Sequence, residues 1–146
     1  MQYQAKNLEE TRKVAESFVN SLVPKESTAT VVGLYGNLGA GKTAFTKYVA
    51  SVLGIYETIT SPTFVIEKIY ELEKQKFTHL IHIDAYRLKD SGELLHLGWN
   101  EILKDKNNLI LIEWPEIVLD AMPEHIQVRI QAGDSEDSRN IEILSI

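Results

Sequence analysis

The eight residues from Gly36 to Thr43, GNLGAGKT, fit the pattern G-x-x-x-x-G-K-[ST] at every fixed position. The chemistry of that pattern is phosphate binding. Gly36, Gly39 and Gly41 let the backbone turn back and aim its N–H groups inward. They form a nest for a β-phosphate at the positive end of the helix that follows. Lys42 can reach the β- and γ-phosphates, and the Thr43 hydroxyl can ligate Mg²⁺. The expected cradle runs over Gly36, Asn37, Leu38, Gly39, Ala40, Gly41, Lys42, Thr43 and Ala44.

A Mg²⁺ site of this kind needs a second element, an acid at the end of a buried strand. Two candidates stand in the chain: Asp84 after HLIHI and Glu113 after LILI. A strand end of this type is held rigidly at the carboxyl edge of the sheet, where α/β proteins bind ligands. Either acid could ligate the metal directly or through water, while the other positions the attacking water. Capping a nearby loop is the bland role open to one of them. Spacing alone does not rank the two.

The base is narrowed by what is missing. Guanine-specific P-loop proteins carry N-K-x-D, whose Asp reads the guanine amine, and D-x-x-G after the second metal strand. Neither occurs here, which favours ATP over GTP. Small-molecule kinases usually close an arginine-rich lid on the transferred phosphate. This chain has four arginines, Arg12, Arg87, Arg129 and Arg139, and no such lid segment. That counts against a kinase. His82, two residues before Asp84, shares its strand face. With no third ligand at useful spacing, it reads as a satisfied structural histidine. His79, His96 and His125 are scattered and form no zinc pattern.

The elements that must position these residues follow from the apolar spacing. TATVVGLY, beginning at Thr28, is rich in β-branched residues and reads as a buried strand feeding the glycine loop. KTAFTKYVASVLG reads as a helix from Lys42 closed by Gly54. Strand, glycine loop and helix in that order are the context a P-loop match requires. Before them, Met1 to Ala5 reads as a short edge strand. Asn7 with Glu10 makes a capping-box start for a helix with Leu8, Val14, Phe18, Val19 and Leu22 on one face, ending near Pro24. After them, TFVIEKIYEL and FTHLIHIDAY read as a hairpin joined by EKQK. SGELLHLGWNEILK reads as two helical pieces broken at Gly98. NLILIEW reads as a buried strand, PEIVLDAM as a short helix with Pro115 in its first turn, and the tail as a final hairpin. The expected fold is α/β, a P-loop NTPase-like three-layer domain over residues 1–146. Its sheet is mixed, with a parallel centre and antiparallel hairpins.

Bulk properties limit the partners. The chain has 146 residues, 44% of them hydrophobic, which fits one domain with a real core. Its formal net charge is -6, whereas a chain that gripped nucleic acid alone would carry a basic face. There is no cysteine, so disulfides, thiolate zinc sites and thiol catalysis are excluded. The polar start MQYQAKNLEE lacks a signal-peptide core, and no apolar run approaches a membrane span. The expected setting is the cytoplasm, with no membrane contact.

Taken in series, GNLGAGKT, TSPTF (Thr60 to Phe64), HIDAYRL (His82 to Leu88) and EWPE (Glu113 to Glu116) resemble one family. It is TsaE, the bacterial ATPase family of tRNA threonylcarbamoyladenosine biosynthesis, and the likeness covers nearly the whole chain. The family usually has an acid at the position of Asn37, which points out of the loop in most P-loops. The resemblance implies ATP and Mg²⁺ as cofactors and two partner proteins, TsaB and TsaD, with tRNA met only through the complex. TsaD transfers the threonylcarbamoyl group to the adenosine beside the anticodon in tRNAs reading codons that begin with A. The small ATPase supports turnover. The resemblance further implies that Lys42 and Thr43 keep their P-loop roles and that Glu113 is the metal-associated acid. Asp84 would be a second acid for hydrolysis. Ser61 and Thr63 would offer hydroxyls near the γ-phosphate, Trp114 would sit in a nucleotide-sensitive segment, and Thr11 near the base. A stand-alone phosphotransferase and a nucleotide-gated binding module remain the competing readings.

Overall fold

The computed structural model describes residues 1–56 and 66–145. TSPTF, with Ser61 and Thr63, lies outside them. Among the described residues seven strands form one sheet: β1 (Gln2–Ala5), β2 (Thr30–Tyr35), β3 (Glu67–Glu71), β4 (His79–Asp84), β5 (Asn108–Glu113), β6 (Ile126–Ala132) and β7 (Arg139–Leu144). Their spatial order is β1-β7-β6-β2-β5-β4-β3. Strand β2 runs parallel to both β5 and β6, and β4 runs parallel to β5. The pairs β3–β4, β6–β7 and β1–β7 are antiparallel. The mixed sheet with its parallel centre is therefore as the sequence predicts, and β1 does take an edge.

Every residue of β5 is buried, as is each residue of β2 up to Leu34, which is the signature of strands covered on both faces. One face carries α1 (Leu8–Ser21) and α2 (Lys42–Val52). There Phe18 and Phe45 meet at 6.0 Å between ring centroids, above Val32, Leu34, Leu109, Leu111 and Val128. The other face carries α3 (Ser91–His96) and α4 (Trp99–Leu103). Its core joins Val31, Ile81, Ile83, Ile110 and Ile112 to Leu94, Trp99 and Val118. These are the three layers of the expected α/β fold.

Local details follow the sequence closely in some places and depart in others. Asn7 caps α1, its side chain accepting from the Glu10 N–H at 2.9 Å. Glu10 reaches back one residue further than a capping box requires, accepting from the Lys6 N–H at 3.1 Å. On α1 the expected Leu8 is exposed, whereas Thr11 and Ala15 are buried with Phe18 and Val19. Gly98 separates α3 from α4 with φ 82°, as the break required. The helix expected after β5 is a tight 3₁₀ stretch, Pro115–Ala121, interrupted at Val118. Among the described residues no helix is long and apolar enough to cross a membrane.

Candidate active site

The glycine loop leaves β2 at its carboxyl end and enters α2 at Lys42. Two glycines are needed there for physical reasons. A Cβ on Gly36 would stand 2.5 Å from the carbonyl oxygen of Ile130 in β6, so the loop passes too close to its neighbouring strand for any side chain. Gly41 has φ 108°, where side-chain-bearing residues are strained. Gly41 is the N-cap of α2 and makes no side-chain capping bond. Among the described residues no side chain caps the first N–H groups of α2, an arrangement that suits an anion.

Lys42 is 5% exposed, and its ammonium is held from two sides. It donates to the Gly36 carbonyl at 2.5 Å and lies 3.3 Å from the centroid of the Trp114 ring. Burial lowers its pKa, and the carboxylates of Glu113, Glu116 and Asp84 work against that shift. The next residue, Thr43, donates its hydroxyl to Glu113 Oε1 over a long 3.4 Å.

Glu113 ends β5 and Asp84 ends β4, and the two are in register across the parallel pair. Both project onto the face that carries α2, since they follow Leu109–Leu111 and Leu80–His82 at two-residue steps. Glu113 is 2% exposed, and its second oxygen, Oε2, bonds His82 Nε2 at 2.7 Å. Asp84 is half-buried and accepts from the Tyr86 N–H at 3.0 Å, capping the 3₁₀ turn Ala85–Arg87. Trp114 leaves β5 with φ 60° and ψ 46°, a left-handed conformation that costs a non-glycine residue about 1–2 kcal/mol. That turn packs its ring against Tyr86, 5.0 Å between centroids with the ring planes inclined at 50°, and lays it beside Lys42.

A cleft of about 300 Å³ results, and Leu38, Gly39, Gly41, Lys42, Thr43, Ala44, Asp84, Glu113 and Trp114 are all in its wall, with Tyr86 and Arg87. The structure therefore brings together most of the residues singled out from sequence. Gly36 stands behind Lys42 and supplies its carbonyl. Asn37 is exposed and closes the loop by accepting from the Ala40 N–H at 3.0 Å, and Ala40 is buried. Thr11 is not in the cleft wall. It is buried in α1, its hydroxyl donating to the Asn7 carbonyl at 3.4 Å.

Three contributors were not legible as such. His82 carries the Glu113 bond, Tyr86 supports the Trp114 ring, and Arg139 packs beneath Gly41, its Nε 3.0 Å from where a Cβ would stand. Arg139 is itself fixed by donating to the carbonyls of Glu136 and Ser138. Only strand order brings it there, because β7 reaches the loop through β6.

The donor set fits a hard divalent cation. Thr43 can keep its O–H on Glu113 while offering a lone pair, and Glu113 and Asp84 add carboxylate oxygens. Among the described residues no group of three or more His, Cys, Asp or Glu could hold a metal by itself. An ion here would complete its shell with phosphate oxygens and water, as Mg²⁺ commonly does.

Parallel central strands, a glycine loop at a strand's carboxyl end and strand-end acids define an α/β protein with the P-loop NTPase-like fold. The comparisons with known proteins narrow this. A family model described as Threonylcarbamoyl adenosine biosynthesis protein TsaE matches residues 5–141. The chain is 40% identical over 129 residues to the tRNA threonylcarbamoyladenosine biosynthesis protein TsaE of Rickettsia conorii, spanning 87% of this chain and 69% of that one. It is 36% identical over 142 residues to the protein of the same name from Bacillus subtilis, spanning 93% and 81%. The crystal structure of YdiB from Bacillus subtilis superimposes with a TM-score of 0.75 at 30% identity, covering all of this chain and 85% of that one. The chain belongs to the TsaE family.

Proposed function

We propose that this chain binds and hydrolyses MgATP, and that it does so as one ATPase domain in the cytoplasmic machinery forming threonylcarbamoyladenosine in tRNA. The observation that carries the reading is the Thr43–Glu113 bond. It joins the start of the phosphate-loop helix to the end of a buried strand, in the cleft that also contains Lys42.

In this reading the N–H groups at the start of α2 and the Lys42 ammonium donate to the β- and γ-phosphate oxygens. Lys42 exchanges its Gly36 carbonyl for those oxygens. Thr43, Glu113 and Asp84 would hold Mg²⁺, which when bound would neutralise charge on the phosphate oxygens. Asp84 or Glu113 orients the attacking water. The water oxygen bonds to the γ-phosphorus, the bond to the β–γ bridging oxygen breaks, and ADP and phosphate leave. Trp114 and Tyr86 exclude solvent on one side of Lys42.

The partners in this reading are TsaB and TsaD, and tRNA is met through them. The net charge of -6 supports that order, because unaided tRNA binding needs a basic face. The names of the relatives support the pathway. The test is MgATP hydrolysis by the purified chain, alone and with TsaB and TsaD. Slow hydrolysis that the partners change is expected. No hydrolysis in either mixture, with phosphate instead appearing on a small acceptor, sinks the reading in favour of a phosphotransferase.

A further inference from the structure

We propose that His82 is a positioning residue for the metal-binding carboxylate: its Nε2–H locks the Glu113 side chain so that Oε1 faces Thr43. This rests on the reading of Glu113 as a metal-associated acid.

The geometry is specific. His82 and Glu113 sit on adjacent parallel strands, with His82 opposite Leu111, two residues before Glu113. Both side chains point to the α2 face, and they are 4% and 2% exposed. The Nε2–Oε2 distance is 2.7 Å, short enough for a charge-assisted bond. An ionised carboxylate only accepts, so Nε2 carries the proton. The other oxygen receives the Thr43 hydroxyl.

A glutamate side chain has three rotatable bonds. Without a fixed oxygen its carboxylate would sample several orientations, and each bound cation would have to select one. With Oε2 held, one orientation is prepared in advance. Partners that orient a metal ligand in this way are commonly worth 10- to 100-fold in metal affinity. His82 is therefore neither a ligand nor a mere core residue. It acts on the metal through Glu113, and its contribution should appear in Mg²⁺ dependence rather than in nucleotide contact.

Two variants read this out. His82→Gln places its amide N–H near the Nε2 position, and His82→Asn, one methylene shorter, falls short of Glu113. Binding of a fluorescent ADP analogue is measured against Mg²⁺ concentration and again in EDTA, beside thermal melts. For His82→Asn the Mg²⁺ midpoint is expected to rise at least tenfold, with EDTA binding unchanged. His82→Gln should stay within about threefold of the parent chain in both. Equal Mg²⁺ midpoints in all three proteins would overturn the inference. So would parallel losses of Mg²⁺-dependent and EDTA binding in both variants, the mark of a merely structural residue. If the parent chain itself shows no Mg²⁺-dependent nucleotide binding, the reading of the cleft fails and this inference goes with it.

Discussion

Replacing Lys42 with Met keeps most of the buried stem and removes only the ammonium. Two effects then oppose each other in the protein without nucleotide. The variant loses a charge-assisted bond to Gly36 and the cation–π contact with Trp114. It also escapes the cost of burying a cation, the cost that lowers the lysine pKa. The melting temperature is therefore expected within about 4 °C of the parent, roughly what 1 kcal/mol moves in a chain of this size. Nucleotide binding has no such compensation. Lys42 gains bonds to two phosphates and gives up one to a carbonyl, a net of one charge-assisted bond, about 1.5–3 kcal/mol. That converts to roughly 10- to 150-fold weaker MgATP binding, read by calorimetry. The pH profile adds a sign. The folded state disfavours the protonated lysine, so stability rises as pH climbs from the lowered pKa toward the ordinary lysine value of 10.5. Lys42→Met should flatten that rise. MgATP affinity within threefold of the parent refutes the assignment of Lys42 to the phosphates.

Other expectations follow from single contacts. Gly36→Ala drives a Cβ into the Ile130 carbonyl, so it should cost about 1–3 kcal/mol in urea unfolding and impair nucleotide binding; a fully stable, binding-competent variant contradicts the close approach. MgATP should change tryptophan fluorescence through Trp114, which shares Lys42, while Trp99 is buried on the opposite face. The change should persist in Trp99→Phe and vanish in Trp114→Phe. Burial raises the pKa of Glu67, whose Oε1 has no hydrogen-bond partner among the described residues. Stability from its protonated form is present below 4.5 and lost as pH rises through the raised value. Glu67→Gln should therefore raise the melting temperature at pH 7 and change it little at pH 4.

The residues of the cleft were legible because their signals are local. A glycine pattern, a strand before it and a helix after it occupy one continuous stretch, and acids at strand ends announce themselves by the apolar runs they close. The hairpins and the Gly98 break were legible for the same reason. What stayed hidden depends on pairing between distant segments. His82 reads from its own strand as a satisfied structural histidine, with nothing local to say what satisfies it. Its bond to Glu113 exists only because β4 and β5 run parallel in one particular register. Arg139 reaches the glycine loop only because β6 lies between β2 and β7. The left-handed turn at Trp114 is also unreadable, since tertiary packing against Tyr86 and Lys42 offsets a conformation that tryptophan disfavours locally. Leu8 lies on the same stripe as Thr11, Ala15 and Phe18, and periodicity alone places it in the core; as the first residue of α1 it sits at the helix end, where it is exposed.

ATP turnover in this cleft is expected to sustain tRNA modification. This is tested most directly by counting threonylcarbamoyladenosine formed per TsaD in a reaction of this chain with TsaB, TsaD, tRNA and the activated threonylcarbamoyl donor. With the parent chain and MgATP, many modifications per TsaD are expected. With Glu113→Gln, which keeps the shape of the site and removes its charge, modification should stop after about one per TsaD. Repeated modification by a variant that hydrolyses no ATP, or by TsaB and TsaD without this chain, contradicts the account.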